Sequence, residues 1–259
     1  DLDQIVRVHD QEHVDRVLSM IKERGHGSLD EDTHFSTNSD EAALRAAGAV
    51  CSAVDTVMSG KARNAFCAVR PPGHHAERAT AMGFCFFNNV AIGAMHAREA
   101  HNLGRVAIVD FDVHHGNGTQ AMFWNQEGLL FCSTHQSPLY PGTGHKTETG
   151  IFGNIVNAPL PPSSGSNEFR KTMETVIFPA LRAFDPEFLL ISAGFDAHAD
   201  DPLALLNFTD DDYGWVTEQL CALAKKHCNG RVVSTLEGGY NLEALARSAV
   251  THVKALLAA

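Results

Sequence analysis

The stretch Asp110-Phe-Asp-Val-His-His-Gly116 concentrates groups able to hold a metal ion, in a chain unusually rich in histidine, 15 of 259 residues. If Asp112 ends an extended strand, a period of two puts Asp112 and His114 on the same side. A carboxylate and an imidazole so placed can bind Zn²⁺ or a similar ion. Asp110 shares that side, where it can orient an imidazole. The plainer alternative is a strand-end Asp capping the next turn, with a satisfied His beside it. A second acidic cluster, Asp196-Ala-His-Ala-Asp-Asp-Pro202, follows an apolar run and Gly194. One of its carboxylates would complete a ligand set, and residue chemistry does not choose among Asp196, Asp200 and Asp201. A solvated acidic loop is the competing explanation. His74 and His75 follow Pro71-Pro72-Gly73, a turn that would hold both imidazoles rigidly as ligands or as acid and base. Glu237-Gly-Gly-Tyr240 sets a Tyr after two Gly, where its hydroxyl can approach a ligand closely. Such a Tyr, taken alone, is more often a packing residue.

These groups need elements to carry them. Helical periodicity runs through His9–Arg24 and Asp40–Met58, with Asp40 a candidate N-cap, and again through Asn88–Ala100, Asn167–Phe184, Thr209–Lys226 and Leu242–Leu257. Apolar runs of strand length are Ala65–Arg70, Arg105–Asp110, Leu129–Ser133, Phe188–Ala193 and Arg231–Leu236. Ser137–Gly165 is a long stretch rich in Pro and Gly. Continuous apolar strands separated by helices predict βαβ units and a parallel sheet covered on both faces. The polar, Gly-rich groups gather where strands end, and in an open parallel sheet ligands bind at those carboxyl ends.

Composition narrows the function. With 20 Lys+Arg against 31 Asp+Glu the net charge is −11, which disfavours nucleic acid as the main ligand because phosphate binding needs clustered cations. No apolar run approaches the length of a membrane span, and the acidic start Asp1-Leu-Asp3 is unlike a signal peptide. The six cysteines form no C-x-x-C pair, and reduced thiols in a cytoplasmic protein are the expectation.

Six ordered motifs then carry a resemblance: Arg70-Pro-Pro-Gly-His-His-Ala76, Gly83-Phe-Cys-Phe-Phe-Asn-Asn89, Val109-Asp-Phe-Asp-Val-His-His-Gly-Asn-Gly118, Tyr140-Pro-Gly-Thr-Gly144, Ser192-Ala-Gly-Phe-Asp-Ala197 and Leu236-Glu-Gly-Gly-Tyr-Asn241. The chain resembles the zinc-dependent histone deacetylases, in particular the class II-like, bacterial amidohydrolase branch, from about Asp32 to Tyr240. The resemblance implies an α/β, arginase-like three-layer sandwich with a central parallel sheet. It implies one zinc per chain on Asp112, His114 and Asp201, the last because relatives place the ligand Asp directly before Pro. It makes His74 and His75 the catalytic pair and Tyr240 the electrophile. Asp110 would orient His74, and Asn117 would stand beside His75 where some relatives have Asp. Gly83, Phe84 and Tyr140 would line an acyl-lysine channel, with Asp32 at its rim. Asp110, Asp112, His114, Ser133 and Thr134 match a potassium site. Relatives begin with several dozen residues before the segment matching Ile5–Val17. A single deacetylase domain over residues 1–259, lacking that segment, is therefore expected.

The implied activity is hydrolysis of acetyl or other short acyl groups from lysine side chains of proteins or peptides. A two-metal ureohydrolase of the same fold would need a ligand at position 116, which is Gly. A non-catalytic acyl-lysine scaffold would be expected to lose Tyr240 or one of the His pair, and all are present. An acetylpolyamine amidohydrolase remains the alternative; the residue after Asp201-Pro202 is the apolar Leu203, which disfavours a second ammonium group weakly. No membrane partner is expected, and oligomers are compatible with the sequence.

Overall fold

The computed structural model describes residues 1–259. In chain order the elements are α1 (Leu2–Ile5), α2 (Gln11–Arg24), β1 (Gly27–Ser28), β2 (His34–Phe35), α3 (Ser39–Met58), β3 (Asn64–Cys67), α4 (Asn89–His101), β4 (Val106–Asp110), α5 (Asn117–Phe123) and β5 (Leu129–Gln136). There follow β6 (Ile155–Leu160), α6 (Ser166–Thr172), a π-turn (Met173–Ile177), α7 (Phe178–Phe184), β7 (Phe188–Ala193), α8 (Asp210–His227), β8 (Val232–Leu236) and α9 (Leu242–Ala258). Six strands form one parallel sheet in the order β3-β8-β7-β4-β5-β6, and β1 and β2 make a separate antiparallel ribbon.

Strand alternation divides the core. Val106, Ile108, Phe188 and Leu190 face one cluster of 31 buried residues that includes α2, α3 and α4. Ala107, Val109, Leu189 and Ile191 face a second cluster of 29, filled by α6, α7 and α8. Each fully buried branched aliphatic side chain contributes about 1.5–3 kcal/mol, so strands apolar on both faces are stable only under two helical layers. The expected α/β three-layer architecture is the observed one.

The register matters most for the site. Cys67, Thr235, Ser192, Asp110, Ser133 and Asn157 pair in one row across the sheet. This is where the apolar strands turn polar, at the carboxyl edge. β4 leads outward through β5 to β6, while β7 lies on its other side. The crevice between β4 and β7 is therefore a topological switch point.

The structure adds one strand to the sequence reading and corrects two expectations. The Pro/Gly-rich stretch 137–165 contains β6, an edge strand; Pro159 is tolerated there because an edge leaves one side of the ladder unpaired. Helix α3 starts at Ser39 behind Asn38, whose φ of 68° ends the preceding turn, so Asp40 lies inside the first turn rather than capping it. The helix expected over Asn167–Phe184 is interrupted by the π-turn, which ends two residues before Pro179, whose missing N–H cannot continue the i→i−4 ladder.

Candidate active site

Asp112 and His114 leave the end of β4, and Asp196 lies three residues beyond β7. Their ligating atoms lie within 4.8 Å of one another, and all three residues are buried. His114 Nδ1 is 3.1 Å from Asp112 Oδ1 and 3.1 Å from Asp196 Oδ2. The outer oxygens are tied to backbone: Gly238 N donates to Asp112 Oδ2 at 2.9 Å, and Val113 N to Asp196 Oδ1 at 2.9 Å. A Cβ at Gly194 or Gly238 would collide with these carboxylates, which is why glycines stand there. Two carboxylate oxygens and one imidazole nitrogen converging in a buried cradle form a donor set suited to Zn²⁺ with open positions left over.

The third member is Asp196, and the expectation of Asp201 is corrected. Asp201 Oδ2 accepts from Tyr240 N (2.8 Å) and Asn241 N (3.3 Å), and its Oδ1 accepts from Leu203 N (3.0 Å). Its carboxylate braces the backbone that carries Tyr240, five residues too far along the loop to join Asp112 and His114. A side chain at position 116 would strike Asp110, with Phe131 and His74 close behind, so no ligand for a second metal fits there.

The paired imidazoles differ. Their ring centroids are 4.0 Å apart, and both are buried. His74 Nδ1 is 2.9 Å from Asp110 Oδ2, and Asp112 Oδ1 lies 3.8 Å from its Nε2. Burial works against its charge, but the carboxylates of Asp112, Asp110 and Glu237 outweigh it and hold His74 well above the usual histidine range. His75 Nδ1 meets Asn117 Oδ1 at 2.8 Å. Burial, reinforced by the neighbouring His74 charge, keeps His75 well below that range. Burial likewise disfavours charge on His114, yet Asp112 and Asp196 push it up to about 10. Asp196 itself is raised to about 6 by burial and by Asp112.

Glu237 is a functional residue that the sequence reading passed over in favour of its neighbour Tyr240. Its Oε2 accepts from Gly73 N (2.7 Å) and His74 N (3.1 Å), and its Oε1 from Ser192 Oγ (2.9 Å). One buried carboxyl thus fastens the Pro-Pro-Gly-His-His turn to the sheet edge. Burial lifts Glu237 to about 7 despite the opposing pull of His74. Its only sequence signal is a charged residue directly after an apolar strand.

Tyr240 is half-buried, and burial together with Asp196 and Asp112 raises its hydroxyl well above the ordinary tyrosine value. The ring therefore stays protonated and able to donate. It stands edge-on to Phe84 with centroids 5.9 Å apart, while Tyr140 is edge-on to His75 at 5.2 Å. Phe84 takes φ 67°, uncommon for a residue with a side chain, directly after Gly83 at φ 57°. Gly83 packs flat against His75, leaving no space for a Cβ. Asp32 Oδ1 accepts from Gly83 N (3.1 Å) and Thr33 Oγ1 accepts from Phe84 N (3.2 Å), so this pair fixes the strained turn.

Asp110 Oδ1 accepts from Asp112 N (3.1 Å) and Ser133 Oγ is paired with His135 Nδ1 (2.9 Å). Away from the site, Asp55, His96 and His101 also cluster. There Arg7 donates to His96 Nδ1 at 2.9 Å, which leaves Nε2 protonated and pointing at Asp55 (2.7 Å). That group is a hydrogen-bonded clamp between α3 and α4, not a ligand set.

A parallel sheet with this crevice carries a donor set that fits a metal ion, and comparison with known proteins supplies the family. Residues 1–256 match the histone deacetylase domain. The chain is 42% identical over 245 residues to a probable deacetylase of Archaeoglobus fulgidus, covering 93% of this chain and 67% of that protein. It is 38% identical over 241 residues to the histone deacetylase-like amidohydrolase of Pseudomonas aeruginosa, covering 92% and 63%. The crystal structure of the HDA15 HD domain superposes with a TM-score of 0.92 at 38% identity, covering 99% of this chain and 73% of that one. The chain belongs to the histone deacetylase family. No helix is long and apolar enough to cross a membrane.

Proposed function

We propose that this chain is a zinc-dependent amidohydrolase that removes acetyl or other short acyl groups from lysine side chains. The observation that carries the reading is the convergence of Asp112, His114 and Asp196 on one point beside two histidines of opposite protonation preference. Zinc held there would lower the pKa of a water and polarise the acyl carbonyl. His75, neutral and with Nε2 free, takes a proton from the water as its oxygen attacks the carbonyl carbon. Tyr240 donates to the oxygen on which negative charge develops. As the C–N bond breaks, that proton passes to the departing amine, and the product acid gives up the water's second proton to it as well, leaving a carboxylate and a lysine ammonium. His74, held cationic by its carboxylate neighbours, stabilises the negative charge without moving its proton. Phe84 and Tyr140 flank the approach as an apolar sleeve for the lysine stem, and Asp32 supports that sleeve from the rim.

Leu203, 48% exposed after Asp201-Pro202, favours an acyl-lysine over an acylated polyamine, because it offers no charge to a second ammonium. The buried Thr134 hydroxyl, which has no hydrogen-bond partner, supports a potassium ion held near Asp110, Asp112, His114, Ser133 and Thr134. The test is zinc-loaded protein against acetyl-lysine peptides, longer acyl-lysines and acetylpolyamines, with products identified by mass spectrometry. Acyl release from lysine peptides is expected. Release from polyamines alone would make the chain a polyamine amidohydrolase, and binding without release would make it a scaffold.

A further inference from the structure

The general base needs a particular tautomer: Nδ1 protonated and Nε2 bare. His75 Nδ1 faces Asn117 Oδ1 at 2.8 Å. An asparagine amide can present either its oxygen or its nitrogen there, and its other contacts decide which. Asn117 Nδ2 lies 2.8 Å from Glu77 Oε1, 3.3 Å from the His75 carbonyl and 3.4 Å from the Met82 sulfur. All three accept and none can donate. Turning the amide over would set its oxygen against a carboxylate, a carbonyl and a thioether at once. The carbonyl contact is long, and the thioether is a weak acceptor. Glu77 is the short one and the charged one.

We propose that Glu77 is a positioning residue that selects the tautomer of His75 through Asn117; this rests on the reading of His75 as the base. The local chain is built for the contact. Glu77 lies two residues beyond His75 in a tight turn closed by Glu77 N to Thr80 O (2.9 Å). Gly118 has no room for a side chain because the Ala76 carbonyl packs on it, which brings the start of α5 against the His-pair loop. Thr119 N completes the join by donating to His74 O at 3.2 Å. An aspartate at 117 would fix the tautomer and add charge next to His75. Asn117 fixes it without charge, and the negative group sits one hydrogen bond further out, in a half-buried residue.

The test separates acceptor from charge in zinc-loaded protein. Long-range ¹⁵N–¹H spectra of histidine-labelled protein, with His75 assigned by its loss in His75→Gln, report the tautomer whether or not the protein is active. Wild type shows the Nδ1–H form. Glu77→Ala shows a mixed or Nε2–H form and a kcat lower by about 10- to 100-fold with KM changed less than about twofold, since the base is lost and the channel is not. Glu77→Gln, which still offers an oxygen to Asn117 Nδ2, keeps the Nδ1–H form and recovers most of the turnover. In an Asn117→Asp background, where either oxygen accepts, Glu77→Ala leaves the tautomer as it was. An unchanged His75 signal in Glu77→Ala overturns the proposal even if activity falls, as does a Glu77→Gln variant as impaired as Glu77→Ala. An inactive wild type with the expected tautomer shifts would instead overturn the functional reading and leave the Glu77 assignment standing.

Discussion

Separate alanine substitutions at Asp196 and Asp201 should give opposite results. Asp196→Ala removes one of the three converging donors, whose Oδ2 is 3.1 Å from His114 Nδ1. Altering even a residue that merely orients a ligand weakens metal binding about 10–100-fold, so losing a ligand should cost more than about 100-fold. Asp201→Ala leaves all three donors and strips the acceptor from Tyr240 N, Asn241 N and Leu203 N. At roughly 1 kcal/mol for each hydrogen bond near solvent, about 2–3 kcal/mol of stability goes with them. Metal content after dialysis against a zinc buffer, read by plasma mass spectrometry beside a urea unfolding curve, separates the two. Asp196→Ala should return well under one zinc per chain, and Asp201→Ala close to one, with a lowered unfolding midpoint and reduced kcat from a loosened Tyr240. A zinc-loaded Asp196→Ala protein, or a zinc-free but folded Asp201→Ala protein, would refute the assignment.

Tyr240→Phe should lower kcat by about 10²–10³ with little change in KM, as expected for a donor that acts only on the developing oxyanion; steady-state kinetics on an acetyl-lysine peptide checks it. Glu237→Ala strands Gly73 N, His74 N and Ser192 Oγ in a buried site and should cost about 2–4 kcal/mol in urea unfolding, with Glu237→Gln milder. His9 and His252 are each pushed down to about 3, His9 by burial and then by His13, His252 by burial, so between that value and the ordinary 6.5 the unfolded chain binds more protons than the folded one. Stability is therefore full above about pH 6.5 and falls as pH drops, by about 2–3 kcal/mol per histidine at pH 4.5, and a flat unfolding midpoint from pH 7 to 4.5 would contradict it.

What was legible in the sequence was whatever depends on local pattern. Val106–Asp110 and Phe188–Ala193 read as strands because each opens with four successive apolar residues before its first polar one, and the structure buries every position. The contacts of His74 with Asp110 and His75 with Asn117 were expected from ordered motifs. β6 was not legible, because Ile155–Leu160 sits in a stretch whose Pro and Gly dominate any window. Glu237 and Glu77 were passed over for a different reason. Their partners are the backbone of Gly73 and His74 and the side-chain amide of Asn117. Backbone groups carry no residue-type signal, which hides the role of Glu237 beyond its place at a strand end, and Glu77 meets Asn117 across forty residues with no local pattern to link them.

The choice between Asp196 and Asp201 turns on register, which a single strand read in isolation does not contain. Asp110 pairs with Ser192 across β4 and β7. Counting outward from that pair, His114 and Asp196 are each four residues beyond the row, and Asp112 is two. Parallel neighbours advance together at about 3.3 Å per residue, so the two chains rise side by side and Asp196 draws level with His114 as both leave the sheet. Two cross-connections keep them level: Phe111 N to Ser192 O at 3.2 Å and Val113 N to Asp196 Oδ1 at 2.9 Å. Asp201 is nine residues beyond Ser192, and the loop has turned back by then, with Asp201 N donating to His198 O at 2.9 Å. The Asp-Pro signature marks that turn. In this chain the carboxylate that joins Asp112 and His114 is therefore the one at matched height on the neighbouring strand, and the acid beside the Asp-Pro signature lies in the brace behind it.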